Sequence, residues 1–164
     1  MTRVLAIDAG ESTGLAVVDF TESGPELRYL SQFVDDVYGT TITVYKRIEE
    51  YIIGTVVIEQ FDLRPGNQFT ADLSTVYRNG ALEFMLRDEY GISPVWQTPA
   101  QAKGLVSDAV LKRFGPEFWP TGKTVGYKDA NDARDALRHA LRYGVEVLEH
   151  MPTIKKGWPR EEET

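Results

Sequence analysis

Two short apolar runs in this chain end in a carboxylate. Asp8 closes VLAID and Glu59 closes TVVIE. A strand end inside a sheet has little water to solvate charge, so an acid there needs a partner or a way out. Two further acids, Asp132 and Asp135, stand three residues apart in DANDARDAL. On a helix that spacing sets both carboxylates on adjoining parts of one surface. Converging carboxylates form oxygen cages of the kind that hold Mg²⁺ or Mn²⁺. The chemistry indicated is metal-dependent phosphodiester hydrolysis, with nucleic acid as the substrate class. Each acid also has a plainer role open to it. Asp8 can cap a turn through its side chain. Glu59 can leave the sheet into solvent, and Asp132 can complement the helix dipole in a first turn.

The elements that must position these acids follow from patterning. Residues 4–8 read as a short buried strand, 9–14 as a turn and 15–20 as a second strand, paired antiparallel with the first. Gly10 and Gly14 are expected to let the backbone approach a phosphate or take positive φ. Residues 27–34 give a third strand. Val44, Ile48, Tyr51 and Ile52 recur at helical spacing, which predicts a helix over 40–53 capped by Thr40 or Thr41. Residues 55–60 form a fourth strand, central and parallel to the first. A long helix over 69–91 stops at Gly91. Gly80 inside it costs up to about 1 kcal/mol against alanine, which close packing on another backbone would justify. Residues 93–99 make a fifth strand, 99–115 a helix, 116–128 a loop and 129–151 the last helix. Asp129 is its expected N-cap. Ala130, Ala133, Leu137, Ala140 and Leu141 mark its buried stripe, and His139 is read as a surface residue ahead of a partner to the acids. The order βββαβαβαα gives an α/β fold. Its mixed five-stranded sheet has a three-strand antiparallel meander plus parallel strands, and helices flank it. That is the strand order of the ribonuclease H-like fold.

At 164 residues the chain is expected to form one domain over 1–151, with 152–164 a frayed tail. It has no cysteine, hence no disulfide framework and no thiolate metal site. No stretch nears the roughly 18 apolar residues of a membrane span. MTRVLAID enters a strand at once, so no signal peptide is expected and a cytoplasmic location follows. The net charge of −7 runs against a nucleic-acid partner, whose phosphates call for clustered Lys and Arg. Bound cations would neutralise some of the acids. The positive charge must then be local, and Arg64, Arg78, Lys103, Lys112, Arg113, Lys123 and Lys128 are its candidates.

Taken together, the motifs resemble those of RuvC-type Holliday junction resolvases over about residues 3–144. IDAGESTG is similar to that family's D-P-G-x-x-x-T-G, and VVIEQF to its A-I-E-Q. DARDALRHAL is similar to its D-A-A-D-A-L-A-x-A-L. YRNGALEFML resembles the helix of the family's dimer interface. The resemblance implies that Asp8, Glu59, Asp132 and Asp135 are the catalytic, metal-binding carboxylates. It implies two Mg²⁺ ions per site, with Mn²⁺ as a substitute, about 3.5–4 Å apart. It further implies a homodimer acting on four-way DNA junctions, and the small acidic chain would suit a bacteriophage. Lys103 matches a basic residue directed at DNA, with Arg64 and Lys128 as further contacts. Phe61 or Phe69 would serve as the aromatic wedge. The chain departs from the pattern at Ala9, where the family has proline, and lacks the glycine-rich basic segment after the matched lysine. A longer loop over 115–128 stands before the last helix instead. Flaps, forks or RNA–DNA hybrids are the alternative substrates, and a non-catalytic DNA-binding protein of the same fold is the alternative role. Actin-like kinases share D-x-G-x-x-x-T-G but need two such domains, and 164 residues hold one.

Overall fold

Side chains alternate across a strand, and that alternation divides the molecule into two layers. The computed structural model describes residues 1–61 and 73–159. β1 (Thr2–Ala9), β2 (Thr13–Thr21) and β3 (Gly24–Phe33) form the expected meander. β4 (Thr55–Glu59) and β5 (Val95–Gln97) complete a five-stranded sheet in the order β3-β2-β1-β4-β5. β1 pairs antiparallel with β2 and parallel with β4, and β5 continues parallel from β4. The first two strands run further than the apolar pattern indicated, because pairing of Ala9 with Thr13 carries the ladder into the expected turn.

One face of the sheet carries Leu5, Ile7, Leu15, Val17, Val56 and Ile58. It is covered by α1 (Val37–Tyr51) and α2 (Ser74–Tyr90), which contribute Val44, Ile48, Leu82, Met85 and Leu86. The other face carries Val4, Ala6, Ala16, Val18 and Val57, and meets α6 (Asn131–Glu146) through Ala136, Leu137, Ala140 and Leu141. All five residues of the stripe expected on this last helix are buried. α3 (Pro99–Leu105), α4 (Asp108–Arg113), α5 (Gly122–Val125) and α7 (Met151–Gly157) surround that layer.

Several boundaries differ from the sequence reading for identifiable reasons. α1 begins at Val37, because the Asp36 carboxylate accepts from Gly39 N at 2.7 Å and so replaces Thr40 or Thr41 as the cap. The helix expected over 99–115 is two helices, since Ser107 caps a new one through Val110 N. The last helix expected over 129–151 ends at Glu146, and Met151–Gly157 winds into α7 with Pro152 in its first turn, His150 as its cap and Thr153 buried. Gly91 stops α2 in the left-handed region at φ 63°, as expected. Gly80, expected to pack on another backbone, is exposed, and a Cβ there would meet nothing within 4 Å.

Gly14 has a different role from the one expected. Neither it nor Gly10 has positive φ. A Cβ on Gly14 would land on the Asp132 carbonyl and the Ala133 nitrogen of α6. The glycine therefore lets the first turn of α6 rest on the hairpin, and this close approach carries Asp132 and Asp135 to the sheet.

Candidate metal centre

Register brings the two strand-end acids together. Ile7 pairs with Ile58, so Asp8 and Glu59 are neighbours at the same edge of the sheet. Both continue the parity of Ala6 and Val57, and both point to the α6 side. Asp135 reaches them from α6. One carboxylate oxygen from each of Asp8, Glu59 and Asp135 lies within 4.8 Å of the other two. A cleft of about 190 Å³ opens in front of Asp8 and Glu59, and Phe61 lines it.

Three acids so close conflict unless a cation joins them. Burial holds the Asp8 carboxyl well above the usual carboxylate range, and the charges of Glu59, Asp132 and Asp135 push it further. Lys103 opposes the shift: its Nζ lies 2.8 Å from Asp135 Oδ2. Burial works against the Lys103 charge, but the acids outweigh it and the ammonium titrates above its ordinary value. The donor set is all oxygen and partly buried, and its charge is unbalanced, which fits a hard divalent cation.

Asp132 stands slightly apart. Its carboxylate accepts from Ser12 Oγ in the hairpin, and it falls outside the close group of three. Burial raises its titration range; Asp135 and the other nearby acids add to that rise, while the Ser12 hydroxyl lowers it.

His139 is fully buried rather than on the surface. It lies one turn beyond Asp135, on the side of α6 that faces the sheet. Its Nε2 is 2.8 Å from Glu59 Oε2, and its Nδ1 is 2.9 Å from Gln97 Oε1. A carboxylate only accepts, so Nε2 carries a hydrogen. The imidazole therefore bridges the ends of β4 and β5 and fixes the Glu59 carboxylate. Arg138 does the same for Asp135: it donates to that carboxylate, to Asp108, and through Nε to the Val106 carbonyl at 3.1 Å. That carbonyl is available because the helical run is interrupted between α3 and α4.

The cap of α6 also differs from the one expected. Asp129 accepts from Asn131 N at 3.1 Å, but Ala130 holds the N-cap position without a side-chain bond. Gln32 of β3 supplies what the cap lacks, its Oε1 accepting from Ala133 N at 3.2 Å. Gln32, Gln97 and His139 each meet a partner distant in sequence, which short-range patterning does not specify. The one available hint was a glutamine ending a short apolar run, as in VWQ. Arg78, one of the candidates for the local positive charge, ties α2 to the Gly10 and Asp35 carbonyls at 2.7 and 2.8 Å. Lys128 is exposed and has no ion pair among the described residues. Arg64 and Phe69 lie outside the described residues.

The sheet order and the acids gathered where β1, β4 and α6 meet define a ribonuclease H-like fold. No protein-family model matches the chain, and a search of curated proteins finds no match. Solved structures do share its architecture. Thermus thermophilus RuvC in complex with a Holliday junction substrate aligns with TM-score 0.66 and 18% identity, over 91% of this chain and 96% of that one. The fowlpox virus resolvase in complex with substrate Holliday junction DNA aligns with TM-score 0.60 and 11% identity, over 90% and 99%. The yeast mitochondrial Holliday junction resolvase aligns with TM-score 0.54 and 14% identity, over 96% and 77%. The chain thus has the fold of RuvC and related resolvases, as the motifs implied. Among the described residues no helix is long and apolar enough to cross a membrane.

Proposed function

We propose that this chain is a Mg²⁺-dependent endonuclease that resolves four-way DNA junctions. The observation that carries the proposal is the approach of Asp8, Glu59 and Asp135 to within 4.8 Å at the sheet edge. That the structural neighbours include two junction complexes supports the choice of substrate. Asp8, Glu59 and Asp135 would hold the cations, with Asp132 completing the set for two ions. When bound, divalent cations supply water activation and neutralise charge at the phosphate.

The chain's own groups do the positioning. Asp8 sits deepest and faces both other acids, so it would be one of the residues that hold the cation. His139 and Gln97 fix Glu59, Ser12 holds Asp132, and Arg138 with Lys103 holds Asp135. His139 is bonded at both nitrogens and closed to the cleft, so it is not placed to take a proton from water there. Hydrolysis at this centre would leave 5′-phosphate and 3′-hydroxyl ends.

A junction has two strands to cut, which calls for two sites related by a twofold axis. Leu73, Tyr77, Gly80 and Phe84 recur at helical spacing along the start of α2, and Tyr77 and Phe84 are 67% and 70% exposed. Gly80 leaves room on that face for a second backbone, so α2 is the proposed dimer helix.

Cleavage of a synthetic four-way junction with Mg²⁺ tests the function. Asp8→Asn and Asp135→Asn should each slow cutting by about 10²–10³-fold, equal to roughly 2.7–4 kcal/mol of barrier. Wild-type rates in both variants would remove the site assignment. Competition with fork and linear duplex would reveal whether another branched DNA is preferred.

A further inference from the structure

Beside the acids lies a wider recess that the cutting chemistry leaves unexplained. This cleft of about 600 Å³ is lined in part by Lys103, Asp108, Arg134, Asp135 and Arg138. Arg138 is committed to both acids and to the Val106 carbonyl, and Lys103 to Asp135. Arg134 is different. It has no carboxylate partner among the described residues, yet its geometry is fixed. Nε donates to the Ala130 carbonyl at 3.2 Å and Nη2 to Asn131 Oδ1 at 2.6 Å. Its guanidinium lies over the Trp119 ring, 4.6 Å from the centroid. Lys112 Nζ contacts the same ring at 4.3 Å and adds a second positive charge nearby.

An arginine already fixed by backbone, amide and ring loses little freedom on meeting an anion. Its planar fork suits a phosphate better than a lysine does. Asp135 lines this cleft and also belongs to the acid cluster, so an anion held here would sit next to the candidate metal centre. In the resolvase motif D-A-A-D-A-L-A, the places taken by Arg134 and Arg138 are alanines, so this recess is built from residues peculiar to DARDALR.

We propose that the Arg134 cleft binds a backbone phosphate of the DNA strand being cut, adjacent to the phosphate held at the acids. This rests on the reading of the acids as a DNA-cleaving centre. It gives the positive charge that the net −7 requires a specific location.

The test is binding of a synthetic four-way junction across a salt series, with Ca²⁺ replacing Mg²⁺ so that affinity is read without cutting. Arg134→Ala should weaken binding about three- to tenfold and flatten the slope of log affinity against log salt by about 1. Arg134→Lys should restore the slope. Trp119→Leu, which keeps the charge but frees the guanidinium, should weaken binding with the slope unchanged. Arg134→Ala with the wild-type affinity and slope would overturn the proposal while leaving the acid centre intact. Wild-type protein that binds no junction would instead overturn the reading on which it rests.

Discussion

Asp8 holds a pronounced electrostatic conflict. Burial first, and then the nearby acids, raise its carboxyl well above the ordinary range. Between the ordinary carboxylate range and that raised value, the folded chain keeps a proton that the unfolded chain has released. Stability therefore falls as pH rises through that window. In EDTA near neutral pH, Asp8→Asn should melt above wild type, by about 2–4 °C for each kcal/mol relieved. The gap should close as pH falls toward about 4. Calorimetry across pH checks this, and a wild-type melting curve for the variant at every pH would count against the cluster. His139 provides a second residue-scale expectation. With its two bonds to Glu59 and Gln97 it is a positioning residue, so His139→Leu should weaken Mn²⁺ binding about 10–100-fold. Gln97→Leu, which cuts only the outer bond, should lose less. Titration calorimetry with Mn²⁺ alone reads both, with no need for cleavage.

Among the elements, α6 and the hairpin under it matter most. The first turn of α6 rests on Gly14, where any Cβ would collide with backbone. Gly14→Ala should displace that turn, destabilise the fold by roughly 1–3 kcal/mol as overpacking does, and separate Asp135 from Asp8 and Glu59. Denaturant melts and Mn²⁺ affinity should fall together. A variant with native stability and affinity would show that the turn can shift without moving the acids. α2 makes a separate prediction. Phe84→Glu places a charge in the proposed dimer face and should convert a dimer to monomers in sedimentation, leaving the secondary structure unchanged. If the wild type sediments as a monomer, that face serves another purpose.

At the scale of the whole molecule, some features could be read from the chain and others could not. The acid-ended runs of β1 and β4, the buried stripe of α6 and the βββαβαβ order up to the fifth strand all rest on short-range periodicity, and all appear in the fold, whereas the two helices expected after it are five helices, α3 to α7. What escaped was set by contacts between distant segments. Gln32 completes the α6 terminus from residue 101 positions away, and Gln97 meets His139 across 42. The helix break at Ser107 looked like a continuous helix because apolar residues continue on both sides of it, Leu105 and Val106 before and Val110 and Leu111 after. His139 looked superficial because a lone histidine carries no sign of which face it takes. The acids themselves were legible because charge at the end of an apolar run is costly anywhere, and that cost is visible before any fold is known.

The central claim is that Asp8, Glu59 and Asp135 form a divalent-cation site. Crystals soaked in Mn²⁺ and measured at its absorption edge test this most directly. The account predicts anomalous density in contact with carboxylate oxygens of all three residues, and its loss in Asp8→Asn. Saturating Mn²⁺ with no density among the three acids would contradict it.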